Sequence, residues 1–220
     1  MTQPTDTSRS VPIRALILDF AGVLTTGVLE THRQWCLAQG LDAEAWRRTL
    51  NYTDEGRQLY AALEIGELSQ AEWNRRTAPL LGIGDDGENL MGRSWAGVRP
   101  AEDMIRLARD ARAAGYTLAL LSNSFGLDPY NPYEAIGVWD LFDVHVISET
   151  EGIAKPDPAI YQRTLDRLGL RGEECVFVDD HPVNLPPAAA LGITTVLADG
   201  SAAACAEVAA ILGLCPAQAA

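Results

Sequence analysis

Four groups of polar residues stand at or just past the ends of short apolar runs. They are Asp19 at the end of VPIRALILDF, Ser122 with Asn123 after YTLALL, Lys155 in GIAKP, and the adjacent Asp179 and Asp180 after CVFV. Any one aspartate so placed reads as a turn or N-cap residue. Together the four groups form a complete set for phosphoryl transfer. An aspartate can attack phosphorus, a divalent cation held by further carboxylates neutralises the developing charge, and a lysine with hydroxyl and backbone donors holds the phosphoryl oxygens. Two adjacent carboxylates at a strand end repel each other, which is costly unless a cation or base stands near. Mg2+ takes a few carboxylates and several waters, and Asp19 with the Asp179-Asp180 pair can supply the carboxylates.

The elements that must position these residues follow from periodicity. The runs at 11–20, 116–121, 142–147, 175–178 and 193–197 read as buried strands. Between them lie helical patterns. One opens at Pro100 with Met104, Ala108 and Ala111 on one face, and one at Pro158 with Tyr161, Leu165 and Leu168. A third follows Ser201, with a stripe of Ala204, Val208, Ile211 and Leu212. This alternation predicts an α/β fold with a doubly wound parallel sheet, Rossmann-like and three-layered, whose chemistry lies beyond the carboxyl ends of the strands. The stretch 28–95 breaks the alternation and reads as helical, with a capping box at Ser69–Glu72 and Gly66, Gly82, Gly84 and Gly87 at its breaks. We therefore expect a core domain of residues 11–27 and 96–220 and a helical cap of residues 28–95. Trp35, Trp46, Trp73 and Trp95 fall in the cap and are expected to pack rather than stack on substrate. Tyr130-Asn131-Pro132-Tyr133 reads as a loop without a role.

LILDFAGVLT (16–25), LLSNS (120–124), GIAKPDPAIY (152–161) and VFVDDHPVNL (176–185) resemble, in order, the four motifs of the haloacid dehalogenase superfamily. The resemblance implies that Asp19 is the nucleophile and a Mg2+ ligand, with Ser122 and Asn123 on the phosphate. It also implies that Lys155 steadies both phosphoryl group and nucleophile, and that Asp180, helped by Asp179, completes the metal site. The superfamily's first motif is D-x-D, whose second aspartate is the general acid and base. Here that position is Ala21, which keeps only a backbone carbonyl to offer the metal. A branch resembling bacterial glucose-1-phosphate phosphatases shares the small residue, and Gly66-Glu67-Leu68-Ser69 is similar to its cap. Without the acid, good leaving groups such as anomeric or acyl oxygens are favoured, unless water, substrate or His181 supplies the proton. Two other readings stand beside the phosphohydrolase: a 2-haloacid dehalogenase, which also lacks the second aspartate, and a catalytically impaired fold serving as a binding or regulatory protein.

Composition narrows the partners. Seventeen basic against 30 acidic residues leave a net charge of -13, which opposes binding to nucleic acid or an anionic membrane. A small phosphorylated substrate remains compatible, because a local cation outweighs diffuse charge at short range. Cys36, Cys175, Cys205 and Cys215 form no C-x-x-C pair and read as reduced structural residues. Met1–Ser10 lacks an apolar signal region, so the expected location is the cytoplasm. His32 and His145 are expected to be structural, and Cys36 near His32 only a helical neighbour.

Overall fold

The computed structural model describes residues 11–84, 87–200 and 202–214. The readings for Met1–Ser10 and Cys215 lie outside them. The strands are β1 (Ala15–Leu18), β2 (Thr25–Thr26), β3 (Arg99–Pro100), β4 (Thr117–Ser122), β5 (Val144–Ile147), β6 (Cys175–Asp179) and β7 (Thr194–Leu197). Five of them form one parallel sheet in the order β5-β4-β1-β6-β7. The strands are continuous apolar runs because both faces of the sheet are covered. Leu16, Leu18, Leu118, Leu120, Val176 and Val178 join one buried cluster with Met104, Ile105 and Ala108 of α6 (Glu102–Ala113) and with Val208 of α11 (Ala202–Ile211). The alternate residues Ala15, Ile17, Ala119, Leu121 and Phe177 join a second cluster, with Ile160 and Tyr161 of α9 (Pro158–Leu168) and Ala188 of α10 (Leu185–Ala190). The period of two thus splits each strand between two helical layers.

Five helices intervene between β2 and β3: α1 (Val28–Ala38), α2 (Ala45–Tyr52), α3 (Asp54–Glu64), α4 (Gln70–Leu81) and α5 (Leu90–Trp95). β2 and β3 pair antiparallel, Thr25 with Pro100 and Thr26 with Arg99, so the chain leaves and rejoins the sheet layer through one short ribbon. Pro100 therefore lies in β3 and does not open the helix as expected. The Ala101 amide donates to the Leu24 carbonyl, and α6 starts only at Glu102. Ser69 caps α4, its hydroxyl accepting from the Glu72 amide at 3.2 Å, while the Glu72 carboxylate pairs with Arg75. The four expected tryptophans are buried in the helical segment. Trp46 and Trp73 meet edge to face, as do Trp35 and Trp46, while Trp95 stacks on Phe20 at the sheet's end. These rings tie the helices and the sheet into one apolar cluster.

The tract at 130–133 is not the plain loop expected. Asn131 Oδ1 accepts from the amides of Tyr133 and Glu134, and Pro132 opens the short helix α7 (Pro132–Ile136). Another short helix, α8 (Ser148–Glu151), follows β5. No helix among the described residues is long and apolar enough to cross a membrane.

Candidate active site

Register brings the site together. Leu18 pairs with Leu120 on one side and Val178 on the other, so β1, β4 and β6 end side by side and their next residues converge. The Asp19 amide still donates to the Val178 carbonyl at 2.9 Å, which fixes the backbone of the first residue past β1. The chain then turns through Ala21 and Gly22, where Gly22 has a φ of +79°. A Cβ there would lie 2.3 Å from Asp180 Oδ2, so only glycine allows this close approach.

Lys155 is buried with its Nζ 2.7 Å from Asp19 Oδ1 and 2.6 Å from Asp179 Oδ2. Asp179 is held by the protein on both oxygens. Its Oδ1 accepts from the His181 amide at 2.8 Å and from Asn184 Nδ2 at 2.9 Å. Asp180 differs: its Oδ1 is buried without a hydrogen-bond partner, although the residue lines the cleft. One carboxylate oxygen from each of Asp19, Asp179 and Asp180 lies within 4.8 Å of the others. Burial raises the Asp19 carboxyl to about 6, with Asp179 adding to the rise and Lys155 opposing it. Burial also raises Asp180, again reinforced by Asp179. The Lys155 ammonium, although buried, is held above its ordinary range by the two carboxylates it touches.

Three carboxylates around one ammonium leave excess negative charge, and an orphaned buried oxygen costs about 1–3 kcal/mol or more. A hard divalent cation satisfies both conditions, and its donors here would be Asp19, Asp179, Asp180 and the Ala21 carbonyl. The residues present therefore fit Mg2+.

Of the expected phosphate contacts, Asn123 lines the cleft. Its side chain clamps the Lys155 backbone, accepting from the Lys155 amide at 2.8 Å and donating to the Lys155 carbonyl at 3.1 Å. Ser122 departs from expectation. Its hydroxyl is buried, donates to the Asn123 carbonyl and accepts from the Tyr133 hydroxyl at 3.1 Å, and the residue is not among those lining the cleft. Tyr133 thus competes for the oxygen that sequence reasoning assigned to phosphate. His181 lines the cleft with an exposed side chain. His145 is structural, its Nε2 2.9 Å from the Trp139 carbonyl and its ring stacked on Trp139. His32 stacks on Trp46 and also faces the cleft, its Nε2 buried without a partner. Cys36 and Cys175 are buried thiols, and burial pushes Cys175 up to about 12.

The cleft, about 1270 Å³, runs between the strand ends and α1, α2 and α3. Glu64 and Tyr60 of α3 line it beside Phe125, and sequence reasoning missed all three. The only local signal for Glu64 and Tyr60 was helical spacing, which looks the same for a packing residue, and Phe125 lies in a loop with no periodicity at all. Asn184, the orienter of Asp179, was likewise missed, although it lies within the fourth motif.

A parallel α/β sheet with a buried aspartate, a buried lysine and a carboxylate cluster at its carboxyl edge is an arrangement that can support nucleophilic hydrolysis. Residues 13–192 match the family described as haloacid dehalogenase-like hydrolase, and the chain belongs to that family. A curated relative, the sesquiterpene phosphatase astK of Aspergillus oryzae, is 31% identical over 116 residues, 53% of this chain and 59% of that one. The (S)-2-haloacid dehalogenase 1 of a Pseudomonas species is 28% identical over 199 residues, 84% of each chain. The chain spans between 10% and 59% of the length of the first curated relatives it matches. Among solved structures, a HAD family enzyme of Bacteroides thetaiotaomicron in complex with magnesium and inorganic phosphate superposes with a TM-score of 0.62. It is 22% identical, with 84% of this chain and 93% of that one covered.

Proposed function

We propose that this hydrolase is a Mg2+-dependent phosphohydrolase that cleaves a small phosphorylated metabolite through a phospho-Asp19 intermediate. The observation that carries the reading is the unpartnered Asp180 Oδ1 beside Asp19, in a cluster with more carboxylate than lysine can neutralise. A bound Mg2+ would supply positive charge to a phosphoryl oxygen. Lys155 holds Asp19 Oδ1 and leaves the other carboxylate oxygen to attack phosphorus. Asn123, by fixing the Lys155 backbone, keeps that ammonium between the two carboxylates. Asn184 and the His181 amide hold Asp179 so that its charge orients Lys155. The helices α1 to α5 act in this reading as a cap that excludes water from the reacting centre. Ala21 offers no proton, so weakly basic departing oxygens, such as that of a sugar 1-phosphate, are favoured to the extent that no other group delivers one.

The dehalogenase-like relative keeps a second reading in view, because the same aspartate can displace halide from carbon. Such a reaction has no use for a third carboxylate facing the cleft, and burying one without a cation is destabilising. The deciding experiment assays purified protein on aryl phosphate with Mg2+ and with chelator, and on 2-haloacids in chelator. Phosphate release only with Mg2+ supports the proposal. Halide release without metal replaces it.

A further inference from the structure

Ala21 leaves the position two residues past Asp19 without a side-chain acid, and a strongly basic leaving oxygen needs one. Glu64, the last residue of α3, lines the same cleft as Asp19, Asn123, Lys155 and Asp180. Its carboxyl is near enough to Asn123, the residue that clamps Lys155, for that side chain to favour the ionised form. Its backbone is held as well. The Ser148 hydroxyl accepts from the Ser124 amide at 2.7 Å and donates to the Glu64 carbonyl. Just beyond, Gly66 has a φ of +72°, and a Cβ there would lie 2.4 Å from the Glu149 carbonyl oxygen. The end of α3 is therefore pinned to the loops after β4 and β5, and Glu64 is aimed into the cleft from a fixed base.

Building on the phosphohydrolase reading, we propose that Glu64 is the general acid and base of this enzyme, in the role that Ala21 cannot fill. In the first step Asp19 attacks phosphorus and the bond from phosphorus to the leaving oxygen breaks. The electron pair stays on that oxygen, which takes the Glu64 proton and departs as an alcohol. In the second step the Glu64 carboxylate takes a proton from water as the water oxygen attacks the phosphorus of phospho-Asp19. The bond to Asp19 breaks, phosphate departs, and Asp19 and Glu64 return to their starting states. One water enters; one alcohol and one phosphate leave.

The surroundings of Glu64 suit both steps. Burial pushes its carboxyl up to about 7, while Asn123, Lys155 and His181 pull toward the ionised form. A bound phosphate would add negative charge that favours the acid form. A group poised there gives and takes a proton near neutral pH. Tyr60, one turn earlier on α3, does not share this property. Burial and Glu64 hold its hydroxyl well above the ordinary range, so it stays protonated.

The test uses the full chain with Mg2+ and two esters, 4-nitrophenyl phosphate and glycerol phosphate, assayed side by side for each variant. Glu64→Gln should lower kcat/KM for the alkyl ester by about 10² or more, and for the aryl ester by at least about tenfold less. The decline of alkyl turnover above about pH 7 in the unaltered protein should vanish in the variant. Adding Ala21→Asp to Glu64→Gln should restore alkyl turnover. Because the ratio is taken within one sample, a partly unfolded preparation does not alter it. If both esters lose activity in equal proportion, or neither does, Glu64 is not the proton donor while the phosphohydrolase reading stands. An unaltered protein inert toward both esters with Mg2+ overturns the reading and the inference together.

Discussion

Replacing Lys155 by Met removes the one ammonium in contact with Asp19 and Asp179 while keeping most of the buried aliphatic stem. The two contacts, at 2.7 and 2.6 Å, are each worth about 6 kcal/mol of gross Coulomb attraction at an effective dielectric of about 20. The gain from no longer burying the ammonium offsets much of this, and breaking one side of a buried pair typically costs about 3–5 kcal/mol net. A second route to the magnitude agrees. Near neutral pH a stranded carboxylate escapes by taking up a proton about 3 pH units above its ordinary range, which costs about 4 kcal/mol. The sign with pH follows. A carboxyl whose folded pKa is raised above its unfolded value destabilises the fold increasingly as pH climbs above the unfolded value, so the defect should shrink toward about pH 4. Metal should reverse the defect, because the variant carries one more uncompensated negative charge. A cation at about 100 times its Kd adds about 2.7 kcal/mol. Urea denaturation followed by far-UV circular dichroism, in chelator and in saturating Mg2+, measures both effects. A Lys155→Met protein within about 1 kcal/mol of the parent in chelator at neutral pH would refute the reasoning. So would Mg2+ stabilisation no larger in the variant than in the parent.

Three further outcomes are expected. Asp19→Asn should abolish phosphate release with little loss of stability, since the amide fills the same volume and Lys155 keeps Asp179 as its partner; chelator should do the same to the parent, and undiminished turnover in either case would show that the chemistry lies elsewhere. Gly22→Ala, at a φ of +79° and with its Cβ 2.3 Å from Asp180 Oδ2, should displace Asp180 and weaken the rise in melting temperature that Mg2+ produces, while calorimetry in chelator shows a loss of at least about 1–2 kcal/mol from the left-handed alanine. His32, which burial lowers to about 4, binds fewer protons folded than unfolded; stability should therefore fall as pH drops from about 6.5 toward 4, by up to about 3 kcal/mol, and His32→Phe should flatten that part of the urea midpoint against pH curve.

The sequence by itself determined the sheet and the carboxylates that gather at its edge. Apolar runs flanked by amphipathic helices state a doubly wound fold, because a strand covered on both faces must be apolar at every position. The placement of Asp19, Asp179 and Asp180 was legible for a related reason: a charged residue directly after such a run sits at the carboxyl edge whatever the rest of the chain does. Lys155, separated from β5 by α8, was legible only through its motif. The helical insert was also legible, since its wide polar stretches and glycines cannot continue a buried sheet. Pro100 misled because a proline that starts a helix and one that sits in a two-residue strand look alike locally, and only the pairing with Thr25 decides between them. Tertiary structure alone decided where hydroxyls and cap carboxylates point. Ser122 follows the motif, yet Tyr133 takes its oxygen from 11 residues away. Glu64 is spaced like any helix-end glutamate. It stands in the cleft with its backbone carbonyl held by Ser148, 84 residues further along. Periodicity specifies which face of an element is apolar, whereas contacts between distant elements set the direction of an individual polar side chain.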